Sequence, residues 1–189
     1  MTKPRFFSCC LLFFSILGLT ACDGQQEKTE EERTIRFFDL KGYFEKEKER
    51  ILSLPYLEKT VIHMGKSEVR RIEPDSSQLE ADLSAFTKAD LNRPDWLDKY
   101  QIDSIQDNGG TQLSYSALEK DLRVRRIDIF LDVKGEVKEL RVRKKSSSPI
   151  ADFDQRLKYR PAEGFRIESI QKNAVGGQDS ISVDVKWDN

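Results

Sequence analysis

The three cysteines of this 189-residue chain stand at positions 9, 10 and 22, all ahead of the first charged cluster. A thiolate is a strong nucleophile near neutral pH, and a serine in its place would be far poorer. Cys22 follows Leu19-Thr20-Ala21, so a small residue directly precedes the sulfur. Upstream, Lys3 and Arg5 give a short positive region, and a mostly apolar run extends from Phe6 to Gly18. Positive region, apolar run and small-residue site, in that order, are the parts of a cleavable targeting peptide. The 16 residues from Phe6 to Ala21 fall short of the roughly 17–25 that a membrane-spanning helix needs. Cys9 and Cys10 lie inside the apolar run and behave there as small hydrophobes.

Beyond Cys22 no constellation for hydrolysis, group transfer or redox work is legible. His63 is the only histidine, and spacing nominates no partner for it, so it reads as a partly exposed strand residue. One histidine and no cysteine beyond position 22 exclude the usual zinc sites. A nucleophile elbow, a phosphate-cradling glycine loop and a dinucleotide fingerprint are all missing, and no cofactor is expected. Asp75, Asp95, Asp98, Asp103, Asp107, Asp128 and Asp132 supply carboxylates, and two at the right separation would suit glycoside cleavage, but spacing alone pairs none of them. "DNGGTQ" at 107–112 lacks the alternating oxygen ligands and closing glutamate of a calcium loop and reads as a turn. Trp96, Tyr100, Tyr115, Tyr159 and Trp187 would stack on sugars if exposed, and a core or rim role is the expected one. The chain is therefore read as non-enzymatic.

The tetrapeptide Leu19–Cys22 resembles the lipobox of bacterial lipoproteins, the signal peptidase II type. That resemblance covers residues 1–22 and implies a diacylglycerol thioether on Cys22, cleavage before it, and acylation of the new amino terminus. One acyl chain holds a protein to a bilayer marginally and several hold it stably, at about 0.8 kcal/mol per buried methylene. The partner so implied is the membrane, through Cys22. Asp23 resembles an inner-membrane retention signal, whereas the acidic residues beyond it resemble surface-export signals. The expected location is the cell envelope, at the outer membrane, with its face left open.

Loss of residues 1–21 from the 189 leaves 168, enough for one domain to bury a core of its own. With one cysteine left, no disulfide framework supports that domain. Without Lys3 and Arg5, the 32 basic and 33 acidic residues reduce to a formal charge near −3, which suggests no polyanionic partner. Residues 23–34, "DGQQEKTEEERT", carry no aliphatic or aromatic side chain, so 22–34 is expected to be a disordered tether. Those twelve residues reach at most roughly 40 Å.

Residues 35–189 are expected to form the single globular domain. Phe37, Leu40, Phe44, Ile51 and Leu54 repeat at helical spacing and Pro55 ends the pattern. Its other face, "EKEKER", pairs opposite charges three apart and reads as solvated. "YLEKTVIHMG" and "KSEVRRIEP" read as strands joined near Met64-Gly65-Lys66, and a second helix follows, capped by Asp75 or Ser76, with Leu79, Leu83 and Phe86 apolar. In "RIDIFLDV", Ile127, Ile129, Leu131 and Val133 share one face; Lys134-Gly135 turns into "EVKELRVRKK" with Leu140 and Val142 inward. "SISVDVKW" alternates likewise, with Ile181, Val183, Val185 and Trp187 on one side. Such alternation marks antiparallel strands covered on one face. The fold class is α+β: a curved antiparallel sheet of long strands against two or three helices.

"YQIDSIQDN" at 100–108 nearly recurs as "FRIESIQKN" at 165–173, each followed by a Gly-Gly pair. A bulge in each would turn both isoleucines inward. Either a ligand-binding hairpin is duplicated or two hairpins meet similar packing demands, and the second reading is favoured. The basic stretch "RVRRIDIF…KELRVRKK" alternates with core residues and is interrupted by Asp128, Asp132, Glu136 and Glu139, which argues against nucleic acid; anionic headgroups or acidic glycans suit it better. "FFDLKGYFEKEKERI" and "NRPDWLDKYQID" resemble an uncharacterised group of small diderm lipoproteins, a resemblance that implies no activity. The functional expectation is an anchored binding or assembly component. The alternative is a carrier of lipid or another apolar ligand in a half-barrel, and a carboxylate hydrolase ranks below both. Replacing Cys22 with serine is expected to leave an unprocessed chain without incorporated palmitate; normal processed mass and membrane fractionation in that variant would refute the lipidation.

Overall fold

The computed structural model describes residues 36–187, so the targeting segment, Cys22 and the tether lie outside the described residues. The described chain forms one domain, and its first helix, α1, spans Leu40–Leu52. Asp39 caps it by accepting the Gly42 N–H, so the helix begins later than the apolar repeat suggests. Phe37 lies ahead of the cap and packs edge-on against Tyr100 and Tyr115. Two strands follow, β1 (Leu57–His63) and β2 (Lys66–Ile72), joined by Met64 and Gly65. Both turn residues have positive φ, as a tight hairpin between right-twisted strands requires. The second helix, α2 (Ser76–Thr87), is capped by the Asp75 carboxylate, which accepts the Gln78 N–H. After a 3-10 turn at Pro94–Trp96 come seven strands: β3 (Tyr100–Asp107), β4 (Gly110–Ala117), β5 (Val124–Leu131), β6 (Val137–Ser147), β7 (Ala151–Arg160), β8 (Gly164–Asn173) and β9 (Gln178–Lys186).

All nine strands belong to one antiparallel sheet, in the order β2-β1-β9-β8-β7-β6-β5-β4-β3. The last seven make a simple meander. Its end, β9, pairs with β1, while α2 carries the chain from the β2 edge to the β3 edge. The expected antiparallel sheet against helices is present, but the described chain is mostly sheet with two α-helices, so it fits the α+β class only loosely.

The pleat sorts the side chains. Ile129, Leu140, Tyr159, Phe165 and Val185 face one another in register across β5 to β9, and Tyr115, Ile127, Val142, Leu157, Ile167 and Val183 form the next row. Both rows point at the helices. Phe44 of α1 and Phe86 of α2 meet at 4.7 Å between ring centroids, and each meets Tyr159, at 5.0 and 6.1 Å. Trp187, just past β9, closes this aromatic cluster against Tyr159 and Phe165. Ring pairs of this kind contribute roughly 0.5–1.5 kcal/mol each beyond their burial.

The "EKEKER" stretch departs in part from its expected solvated role: Glu45, Lys46 and Glu49 are exposed, whereas Glu47 and Arg50 turn toward the sheet. Tyr43, Glu47 and Arg50 lie on one stripe of α1, and the stripe turns inward onto the sheet. The Tyr159 hydroxyl donates to Glu47, while Arg50 donates to Glu47 at 2.9 Å, to the Tyr159 oxygen at 3.2 Å and to the Pro161 carbonyl at 3.2 Å. The Arg50 guanidinium also lies over the Trp187 ring at 5.2 Å. Burial, then Glu47, pushes the Tyr159 hydroxyl far above its ordinary pKa, so it remains a donor. Two long-range ion pairs add to the same layer: Lys59 of β1 to Asp82 of α2 at 2.6 Å, and Lys48 of α1 to Glu80 of α2 at 2.7 Å.

The bulges expected in the two similar nonapeptides are not formed. Pairing is continuous along β3 and β8, so Ile102 and Ile167 face the helices while Ile105 and Ile170 face away. β3 is an edge strand and β8 an interior one, which places the two segments in unlike surroundings. Val133 also departs from expectation: it falls in the β5–β6 turn and is exposed.

Candidate functional site

Each residue of the sheet that points at the helices commits its neighbours to the opposite, open face. On β5 to β8 those neighbours are largely cationic. Arg126, Arg143 and Arg156 stand directly opposite one another on β5, β6 and β7, followed by Glu168 on β8. One step along, Asp128, Arg141, Lys158, Arg166 and Asp184 form the adjacent row across β5 to β9. The two rows place six cations in a grid four strands wide, from β5 to β8, with Asp128, Glu168 and Asp184 at its ends. They line an open groove of about 360 Å³ together with Asp128 and Glu168.

Like charges directly opposite one another in a sheet are destabilising, by a few tenths to about 1 kcal/mol per pair. Neighbouring carboxylates offset part of that cost. Arg126 holds Asp128 at 2.8 Å, and Ser114 donates to the same carboxylate at 2.7 Å. Arg143 reaches Asp154 at 3.2 Å, where Lys145 also lies at 3.4 Å. Glu139 is shared by Arg141, Arg160 and, at 3.8 Å, Lys158. Arg141 is further seated over the Phe130 ring at 4.8 Å. Arg166 pairs with Asp184 and lies 3.8 Å from Glu168. The guanidinium at the centre, Arg156, has no ion pair or hydrogen bond among the described residues, although Glu168 is its register partner. The middle of the grid thus carries uncompensated positive charge, and Arg forks are suited to bidentate capture of carboxylate or phosphate.

The carboxylates in this lattice are held ionised. Burial alone would raise Asp128, Glu139 and Asp154, yet their arginine hydrogen bonds and charges prevail and bring each below its ordinary value. A second cationic cluster lies on the helix side, where Lys144 donates to the Ala85 carbonyl at 3.3 Å near the end of α2. Burial, then Lys88 and Arg123, lowers its pKa.

The other chemistry-bearing residues are dispersed. Asp75 caps α2, Asp107 accepts the Gly109 N–H, and Asp132 accepts those of Lys134 and Glu136, so "DNGGTQ" is a turn as expected. Asp103 takes the Gln101 amide. His63 is half-exposed at the end of β1 and faces Asp179 at 3.1 Å, a partner that spacing did not reveal. Tyr100, Tyr115, Tyr159 and Trp187 are buried and unavailable for stacking on a ligand. Burial pushes the Tyr100 hydroxyl up to about 12, and it donates to the Val124 carbonyl at 3.0 Å. No group of three or more metal-ligating side chains occurs among the described residues.

Sequence reading found half of the grid. Arg126, Arg141 and Arg143 belong to the basic stretch singled out there, whereas Arg156, Lys158 and Arg166 were missed. The alternation in "RLKYR" at 156–160 is the signal that would have found two of them. Compared with protein-family models, curated proteins and solved structures, the chain matches none.

Because the folded chain depresses Asp128, Glu139 and Asp154, the stability they contribute is present above the ordinary carboxylate range near about 4 and is lost as pH falls through their lower folded values. Urea unfolding followed from neutral to acidic pH is expected to show this loss. Glu139→Gln is expected to lower stability at pH 7 by about 1 kcal/mol and to flatten the acid dependence, since its arginine partners are part-exposed and screened. An unchanged acid slope in that variant would contradict the assignment.

Proposed function

We propose that this chain is a lipid-anchored, non-enzymatic envelope protein that binds an anionic partner on the open face of its sheet. The observation that carries the reading is the pair of in-register cation rows, with Arg156 at their centre unpaired among the described residues. A fold retains like charges in register, against their mutual repulsion, where a ligand relieves the repulsion. The favoured ligand chemistry is phosphate or carboxylate, presented more than once along the groove. The membrane is reached through acylated Cys22.

An open half-barrel, with the sheet wrapped around α1 and α2, would be the shape that favours the second reading, a carrier of lipid or another apolar molecule. Against that second role stands the space between sheet and helices, which is occupied by Phe44, Phe86, Tyr159 and Phe165. The outer face is left as the surface with recognition chemistry of its own.

Inorganic tripolyphosphate, titrated calorimetrically, tests the site. Binding is expected at low salt, weakening as salt rises. Arg156→Gln is expected to weaken it about 10-fold or more, the equivalent of one charge-assisted hydrogen bond of roughly 1.5–3 kcal/mol. Lys134→Gln, in the β5–β6 turn, serves as the control and is expected to bind as the parent does. Equal affinity in the parent and Arg156→Gln would refute the site.

A further inference from the structure

Three hairpin connections emerge at one end of the sheet: Met64–Gly65 between β1 and β2, residues 148–150 between β6 and β7, and residues 174–177 between β8 and β9. Each presents one large aliphatic side chain to water. Met64 is 73% exposed, Ile150 77% and Val175 98%. The tips are tied together through the backbone, since the Ala174 N–H donates to the Ile150 carbonyl at 3.0 Å and the Met64 N–H to that of Ser180 at 3.5 Å. Leu118, in the β4–β5 connection at the same end, is exposed as well. Just inside this fringe, Phe153 and Ile181 are part-exposed on the helix-side face.

Apolar tips and chain direction distinguish this end from the other. The opposite turns carry Asp107, Asp132, Glu136 and Glu163 beside Lys134, with Val133 as an exposed aliphatic, while the β4–β5 connection at the apolar end carries Glu119 and Asp121 beside Lys120. At the apolar end, Lys66 and Lys172 flank the tips; Asp152 stands across from Lys172 and Asp179 faces His63. The described chain also enters here. Arg36 and Phe37 donate to Asn92, and the Phe37 ring lies against Tyr100 at the start of β3 and Tyr115 near the end of β4. Thirteen residues, 23–35, with a reach of at most roughly 45 Å, separate this entry from Cys22.

We infer that the Met64, Ile150 and Val175 tips sit in the interfacial layer of the bilayer to which the chain is anchored. The inference rests on the acylation of Cys22 proposed above. Three aliphatic groups on separate convex turns do not form the continuous, shape-matched surface that a protein partner needs. A fluid layer demands no such match. It accepts isolated apolar tips and takes flanking lysines at the headgroup level, about 5–10 Å from the acyl boundary. The same placement holds the open cationic face beside the membrane rather than against it.

The test uses the full acylated chain in vesicles of phosphatidylethanolamine and phosphatidylglycerol. An environment-sensitive fluorophore is attached at Val175→Cys, Ile150→Cys or Val133→Cys, the Cys22 sulfur being blocked by its diacylglycerol thioether. The expected result is a blue shift, and quenching by lipids brominated on their acyl chains, for the labels at 175 and 150 but not at 133. Vesicle-bound protein with unquenched labels at 175 and 150 overturns the inference and leaves the anchor standing. A blue shift that grows with protein density and resists the brominated lipids marks contact with a second copy, and also overturns it. Failure to float with the vesicles refutes the anchor, and this placement with it.

Discussion

Side chains alternate across a pleated strand, so a residue sent toward the helices commits both of its neighbours to water. In this molecule the pairing register then carries that choice from strand to strand. Leu140, Tyr159 and Phe165 are opposite one another because each is needed under α1 and α2, and the same alignment forces Arg141, Lys158 and Arg166 together outside. A slip of one residue would bury the cations and expose the aromatic cluster, a change no local rearrangement offsets. The apolar layer thus holds the charged layer in place. Crowding among the cations is endured because the register cannot relax to relieve it.

Two kinds of charge follow from this arrangement. On the helix side, Glu47 and Arg50 are enclosed with Tyr159 and Trp187, and each hydrogen-bonding group finds a partner; this cluster fixes α1 on the sheet. Its tyrosine and carboxylate hydrogen-bond one another. On the open side, carboxylates ring the cation rows without filling their middle. Among the described residues Glu139 serves three cations, Asp154 serves two, and Arg156 has no carboxylate partner. The difference between a closed network and an incomplete one is the physical basis for assigning binding to the second.

Strands, turns and caps were legible in the sequence where local rules act alone. The Met64-Gly65 and Lys134-Gly135 turns, the Asp75 cap and the inward faces of "RIDIFLDV", Val133 excepted, and "SISVDVKW" follow from φ preference and period two. Misjudgements arose where partners came from afar. Glu47 and Arg50 looked solvated because nothing near them in sequence shows that Tyr159 lies above. Ile102 and Ile105 were both expected inward, yet an unbroken ladder sends the second out. The near-neutral overall charge hid the grid, because its members come from four strands and carboxylates balance them in the overall count. Cys22 differs from all of these: its reading rests on the order of residues in a short segment and owes nothing to the folded domain.

Site-resolved NMR of the arginine Nε–Hε groups, during a titration with inorganic pyrophosphate, addresses the binding face most directly. The predicted result is that Arg126, Arg143, Arg156 and Arg166 shift together along one saturable curve while Arg36 and Arg50 stay in place. A small, linear drift shared by every arginine, or no movement at Arg156, would contradict the existence of a built anion site on this face.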